Sequence, residues 1–231
     1  MKLTTAQIDR LYEFTRQHYV EWYDLQTELV DHLANAIEAQ WQENPKLDFE
    51  AALKNEFKKF GVFGFMDVVE KRQVALNKRY NKIVWKHFKA FFTIPKMVAT
   101  VSTIGVFFVT FRNSGKGAYL LVYILLLAAI LLFWILITFK RVRYNKAAKT
   151  SGKKWLFKEI IFGYGNFAGL SYLPIQLIVH YDIKSEMGIF KALFFSILIV
   201  SMCLLDYIVL YEIPKKAEEY LKETYPEYDY V

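Results

Sequence analysis

The chain has 231 residues, 55% hydrophobic and 18% aromatic, with 10 Gly and 5 Pro, which excludes a disordered, collagen-like or low-complexity chain. A single cysteine, Cys203, excludes an internal disulfide framework and any multi-cysteine metal site. The net charge of +7 is unevenly divided: residues 1–70 carry seven Lys and Arg against thirteen Asp and Glu, and residues 71–231 carry twenty-three against ten. An acidic front and a basic, apolar back predict two parts in different solvents.

Thr4 or Thr5 caps a predicted first helix running to about His18. Trp22, Leu25, Leu29, Leu33, Ala36, Ile37, Gln40 and Trp41 then recur at spacings of three and four, the stripe of an amphipathic second helix. Asn44-Pro45 stops it, because the residue before proline avoids the helical region. Asp48 is the expected N-cap of a third helix, with Glu50 in its first turn and Phe49, Ala52, Leu53, Phe57 and Phe60 on its buried face. Gly61 stands where a left-handed C-terminal cap belongs. A fourth helix is predicted from near Phe63 to as far as Phe92, and its stretch Ile83-Val84-Trp85-Lys86-His87-Phe88-Lys89 has the apolar and basic faces of a helix lying among anionic headgroups. No period-two alternation is long enough for a sheet.

The run Trp22-Tyr23-Asp24-Leu25-Gln26-Thr27-Glu28-Leu29-Val30-Asp31-His32-Leu33, followed by Asp48-Phe49-Glu50-Ala51-Ala52-Leu53 and Phe60-Gly61, resembles the small helical HAAS-type domain. The resemblance covers residues about 20–70, roughly a fifth of the chain. It implies a cytoplasmic helical prefix of the kind that precedes bacterial membrane proteins, permeases included, and that accompanies PadR-type regulators. Where that family continues Gly-Asp/Asn-Pro, this chain continues Gly61-Val62-Phe63-Gly64.

Ala118 to Phe139 is 22 residues without a charge, enough helix to cross a hydrocarbon core of about 30 Å. Ile160 to Tyr181 is a second such stretch, interrupted by Gly163, Gly165, Asn166, Gly169, Ser171, Pro174 and Gln176. Ala192 to Ile213 is a third and carries Asp206 and Glu212. Met97–Phe111 becomes long enough only if Phe91, Phe92 and Ile94 extend it and Lys96 snorkels to the headgroups. Four spans are therefore expected, at about 91–111, 118–139, 160–181 and 192–213. The predicted domains are an acidic helical domain at 1–75, an amphipathic juxtamembrane helix at 76–92, four transmembrane helices within 93–213 and a tail at 214–231. The expected fold is all-α, a small cytoplasmic helical domain joined by an amphipathic helix to a four-helix transmembrane bundle.

Lysine and arginine set the expected orientation. The stretches 78–96, 140–158 and 214–231 hold seventeen, against four in 112–117 and 182–191. Both termini are then cytoplasmic and the protein belongs to a bacterial inner membrane. The start Met1-Lys2-Leu3-Thr4 offers no apolar signal-peptide core. The basic loop 140–158 reads as a positive-inside signal contacting lipid headgroups, not as a nucleic-acid site.

Three groups of residues invite chemistry. Glu28, Asp31 and His32 share one helical face, which suits a protein partner; a Glu-x-x-x-His pair can also hold a metal if a neighbouring helix adds ligands. Asp206 lies inside the last span, where a carboxylate is costly and often functional. By helical rise it sits about 10 Å from Ile213, and Asn166 about 9 Å from Ile160, so an antiparallel hairpin brings them to similar depth beside Tyr164 and Tyr207. This intramembrane polar cluster reads either as a proton or cation site or as glue between helices. Gly165 and Gly169 form a small-residue face for close helix packing. No Gly-x-Ser-x-Gly, His-Glu-x-x-His or Walker motif is present. The expected function is non-enzymatic and needs no cofactor: a regulatory or interaction protein whose front domain docks a cytoplasmic or membrane protein. The alternatives are a small transporter or channel subunit using Asp206, and an intramembrane enzyme built from scattered polar residues.

Overall fold

The computed structural model describes residues 2–114, 117–151, 153–163, 176, 188–225 and 228, and the regular elements among them are all helical. The chain divides into two compact units, Met1–Leu76 with Ala147–Glu159, and Asn77–Lys146 with Ile160–Val231.

The first unit opens with α1, Thr5–Gln17, whose N-cap Thr4 and Gln7 form a reciprocal capping box. Helix α2, Tyr23–Glu43, buries Leu25, Leu29, Leu33, Ile37 and Trp41 along the expected stripe. Each such side chain contributes about 1.5–3 kcal/mol when fully removed from water. Helix α3, Phe49–Lys58, is capped by the Asp48 carboxylate, which accepts from the backbone N–H groups of Glu50 and Ala51. Its buried positions include Glu56 beside Ala52 and Leu53, so the buried face is not purely apolar. Gly61 turns the chain at φ +77°.

Helix α4, Met66–Ala90, starts three residues later than the periodicity suggested. The cause is Gly64, at φ +55°, where an added Cβ would lie 2.9 Å from the Phe57 ring. The chain turns tightly there and packs Phe65 edge-on against Phe14, Phe57 and Phe60.

In the second unit α4 ends at Ala90, and residues 91–95 form a turn, not helix. Pro95 cannot donate to a preceding turn and disfavours helix at Ile94, while the Thr93 hydroxyl bonds back to the Ala90 carbonyl. The first expected span is therefore shorter as a helix than 91–111: α5 is Lys96–Asn113, about 27 Å by helical rise. Helix α6, Ala118–Ser151, continues twelve residues past Phe139 through its basic end. Helix α7 is Leu156–Gly163 and α8 is Ile189–Tyr207. A wide turn follows over Ile208–Glu212, closed by the Ile213 N–H on the Ile208 carbonyl. Its cause is Pro214, whose ring would collide with the carbonyl four residues back in a regular helix. Helix α9, Ala217–Thr224, completes the described order.

Phe111 of α5, Val122 and Leu126 of α6, and Ala192, Phe195 and Ile199 of α8 form one buried cluster. Two helices among the described residues are long and apolar enough to cross a membrane, Leu120–Lys146 and Ile189–Lys215. Only about a third of each apolar window is buried. On α6, Leu120, Ile124, Leu127, Leu131 and Ile135 face outward, an exposed apolar surface of the kind that marks a membrane or protein contact. The expected third span, 160–181, lies almost wholly outside the described residues.

Candidate functional site

Glu28, Asp31 and His32 all stand on the exposed side of α2, opposite its apolar stripe. His32 is 60% exposed, yet it reaches the first shared structure on this face: its Nε2 is 3.6 Å from Oε1 of Glu56, a carboxylate only 5% exposed. Lys59 approaches the other oxygen of Glu56 at 2.6 Å. The burial of Glu56 is thus compensated by a charge-assisted hydrogen bond. The His32 ring packs edge-on against Phe60 at 5.7 Å. Phe60 leads directly into the 61–64 turn, where Val62 is 97% exposed and Phe63 72%. The acidic face and this bare apolar turn therefore adjoin through His32 and Phe60. Among the described residues no three metal-ligating side chains come together.

The start of α2 serves a different purpose. Asp24 is buried, and its Oδ1 accepts from the backbone N–H of Leu156 at 3.0 Å. Leu156 is the first residue of α7, so Asp24 supplies from another helix the carboxylate that a local N-cap would provide. Around it, the Trp22 indole N–H donates to Glu159 at 2.6 Å, and the Tyr23 N–H donates to the Lys154 carbonyl at 2.7 Å. Trp155 packs edge-on against Tyr23, and Lys153 sits 4.7 Å over the same ring. Glu21 accepts from Lys154 at 2.7 Å and holds that ammonium above the usual lysine range. Residues 153–159 are clasped to residues 21–24, at the start of the run that resembles the HAAS-type domain. A polar contact across 132 positions leaves no periodic trace; the only signal was Asp24 falling on the apolar side of α2.

In the second unit Asp206 and Tyr207 end α8, immediately before the wide turn. Such turns recur at functional sites. Asp206 is half-buried. The Tyr207 ring is 6.1 Å from Phe91 and 5.4 Å from Tyr211. Tyr164, Asn166, Gly165 and Gly169 lie outside the described residues, as does the predicted pairing of Asp206 with Asn166.

Beyond the wide turn, α9 docks on α4. The Tyr220 hydroxyl lies 2.7 Å from His87 Nε2, and His87 Nδ1 is 3.9 Å from Glu212. Arg79 reaches Glu223 at 3.3 Å. Burial, then the neighbouring Lys216, lower the His87 pKa, and burial raises that of Tyr220. Both shifts favour a neutral imidazole beside a protonated phenol. No protein-family model, curated protein or solved structure matches this chain.

Proposed function

We propose that this chain is a multi-pass bacterial inner-membrane protein of regulatory or interaction function, whose acidic helical unit docks a protein partner on the cytoplasmic side. The observation that carries the reading is the exposed surface of the first unit, where Glu28, Asp31 and His32 adjoin bare Val62 and Phe63. Exposed apolar side chains ringed by charge mark interaction sites. The HAAS-type resemblance implies the same role for this stretch.

The contacts within each unit support four crossings. The clasp between 21–24 and 153–159 requires an even number of crossings between them, so α5 must cross with α6 if α6 crosses at all. The contacts of Arg79 and His87 with Glu223 and Tyr220 demand the same parity between α4 and α9. With α5, α6 and α8 crossing, one more crossing is needed, and the uncharged stretch 160–181 is where the sequence supplies it. The lysine and arginine distribution then places both termini in the cytoplasm.

Photo-crosslinkers at positions 31 and 62 of the full chain, used in cells, test the partner. A defined protein adduct from both positions, weaker from Glu43, is expected. No adduct, or an equal one from all three, removes the reading. A second reading rests on Asp206, half-buried beside the wide turn: a transport or channel subunit. Flux into proteoliposomes that vanishes in Asp206→Asn favours it; flux that is absent or indifferent to that change removes it.

A further inference from the structure

The cleft between α5 and α8 has a volume of about 490 Å³, within the range of small-molecule sites. The helices run antiparallel, with Phe111 beside Ala192 at one end and Phe91 beside Tyr207 at the other. At the first end Phe107, Phe111 and Phe195 fill the interface. At the second, between Lys96 and Phe107, α5 presents the short side chains Ala99, Thr100 and Thr103 toward Val200, Cys203 and Leu204, and they leave space.

The lining is chemically lopsided. The Thr100 hydroxyl donates to carbonyls of Lys96 and Phe91, and Thr103 to that of Ala99, so both are committed to backbone. Among the lining residues Lys96 alone carries a charge, and it sits 4.8 Å over the Phe91 ring at the end where α5 begins. From Lys96 to Phe107 the lining follows about 16 Å of helix. Apart from the Tyr207 hydroxyl, which lies at the same end as Lys96, the cleft is walled by hydrocarbon and by hydroxyls whose protons are already spent, so it suits a tail more than a polar body, and a cation meets Lys96.

We propose that this cleft binds one acyl chain of an anionic amphipath, with its charged head on Lys96. The shared chemistry, a hydrocarbon tail carrying a carboxylate or phosphate, belongs to a free fatty acid and to an acidic phospholipid alike. The site is independent of the partner surface on the first unit.

Cys203 lines the cleft and is the chain's one cysteine, so the native protein carries its own reporter. The full chain is alkylated with N-ethylmaleimide in neutral detergent with and without oleate, and the rate is read by mass spectrometry. Oleate is expected to slow modification at least fivefold, while oleyl alcohol leaves it unchanged. In phosphatidylcholine nanodiscs, slowing on adding phosphatidylglycerol assigns the phospholipid; slowing by oleate alone assigns the fatty acid. Lys96→Gln abolishes protection without changing the unprotected rate. Thr103→Leu, which fills the space and keeps Lys96, also loses protection, with circular dichroism verifying the helices. Equal rates with and without either anion overturn the proposal. So does equal protection by oleyl alcohol, or protection that survives in Lys96→Gln.

Discussion

Asp24 Oδ1 accepts the Leu156 N–H at 3.0 Å across 132 positions of chain, closing the first unit on itself. Removing that acceptor leaves a buried helix-end N–H without its partner. Asp24→Ala is expected to destabilise the first unit by about 1–3 kcal/mol, the range for an orphaned buried polar group. Asp24→Asn retains an acceptor oxygen and is expected to lose less. Tryptic cleavage after Lys153 and Lys154 in the full chain measures the opening. It should accelerate in Asp24→Ala and in Trp22→Phe, which deprives Glu159 of its indole donor; cleavage at the native rate in both would show that the clasp is not held by these bonds.

Gly64 and Gly61 separate two causes of glycine requirement. Both have positive φ, but a Cβ at Gly61 meets open space, whereas at Gly64 it lies 2.9 Å from the Phe57 ring. Gly61→Ala is expected to cost about 1 kcal/mol from the left-handed backbone alone. Gly64→Ala adds the displacement of Phe57 from its edge-on contacts with Phe14 and Phe65, and is expected to cost more than Gly61→Ala. Thermal unfolding of the two variants side by side reads the difference, and equal losses would mean the aromatic cluster yields freely.

What the residues disclosed in advance was whatever repeats locally. The stripe Leu25, Leu29, Leu33, Ile37 and Trp41, the Asp48 cap and the Gly61 turn each follow from neighbours within a few positions, and each is where the periodicity and cap chemistry placed it. The helical class follows from the same evidence. Three things were not legible. The late start of α5 depends on Pro95 and on the Thr93 hydroxyl competing for the Ala90 carbonyl. The burial of Asp24 and Glu56 depends on Leu156 and Lys59 being brought to them by the fold. The α5–α8 cleft exists because short side chains on α5 meet a stretch of α8 far away in sequence that does not fill the gap, a coincidence of register that neither helix records alone.

The α9 helix is expected to be docked less firmly in acid. The folded protein holds His87 below its ordinary pKa of 6.5, chiefly by burial and then through Lys216, Lys86 and Lys96, with Glu212 opposing them. The unfolded or undocked form therefore binds a proton first as the pH falls through 6.5. The docked form loses stability from there down to its own lower pKa and is steadiest above 6.5. Proteolysis of the 217–224 segment followed from pH 8 to pH 5 should show protection falling with acid. His87→Gln, which cannot titrate, should flatten that slope. A slope that persists in His87→Gln would assign the dependence to Glu212 or its neighbours instead.

On the proposed four-span reading, the parity of crossings makes the sharpest topological demand, because each pair of segments that touch within a unit must then share one side of the bilayer. The first unit joins residues 21–24 to 153–159, and the second joins Arg79 and His87 to Glu223 and Tyr220. A helix as apolar as Leu120–Lys146, crossing once, can leave the 21–24 and 153–159 segments together only if α5 returns the chain. On that reading Ser114, at the end of α5, lies on the opposite face from residues 21–24 and 153–159. In a Cys203→Ala background, single cysteines at positions 43, 114, 146 and 218 report this directly. In sealed right-side-out vesicles a membrane-impermeant maleimide is expected to label position 114 alone. In inverted vesicles it should label 43, 146 and 218. Labelling of 114 together with 43 would mean that α5 does not cross, and the clasp would then require α6 to lie along the membrane surface instead of through it.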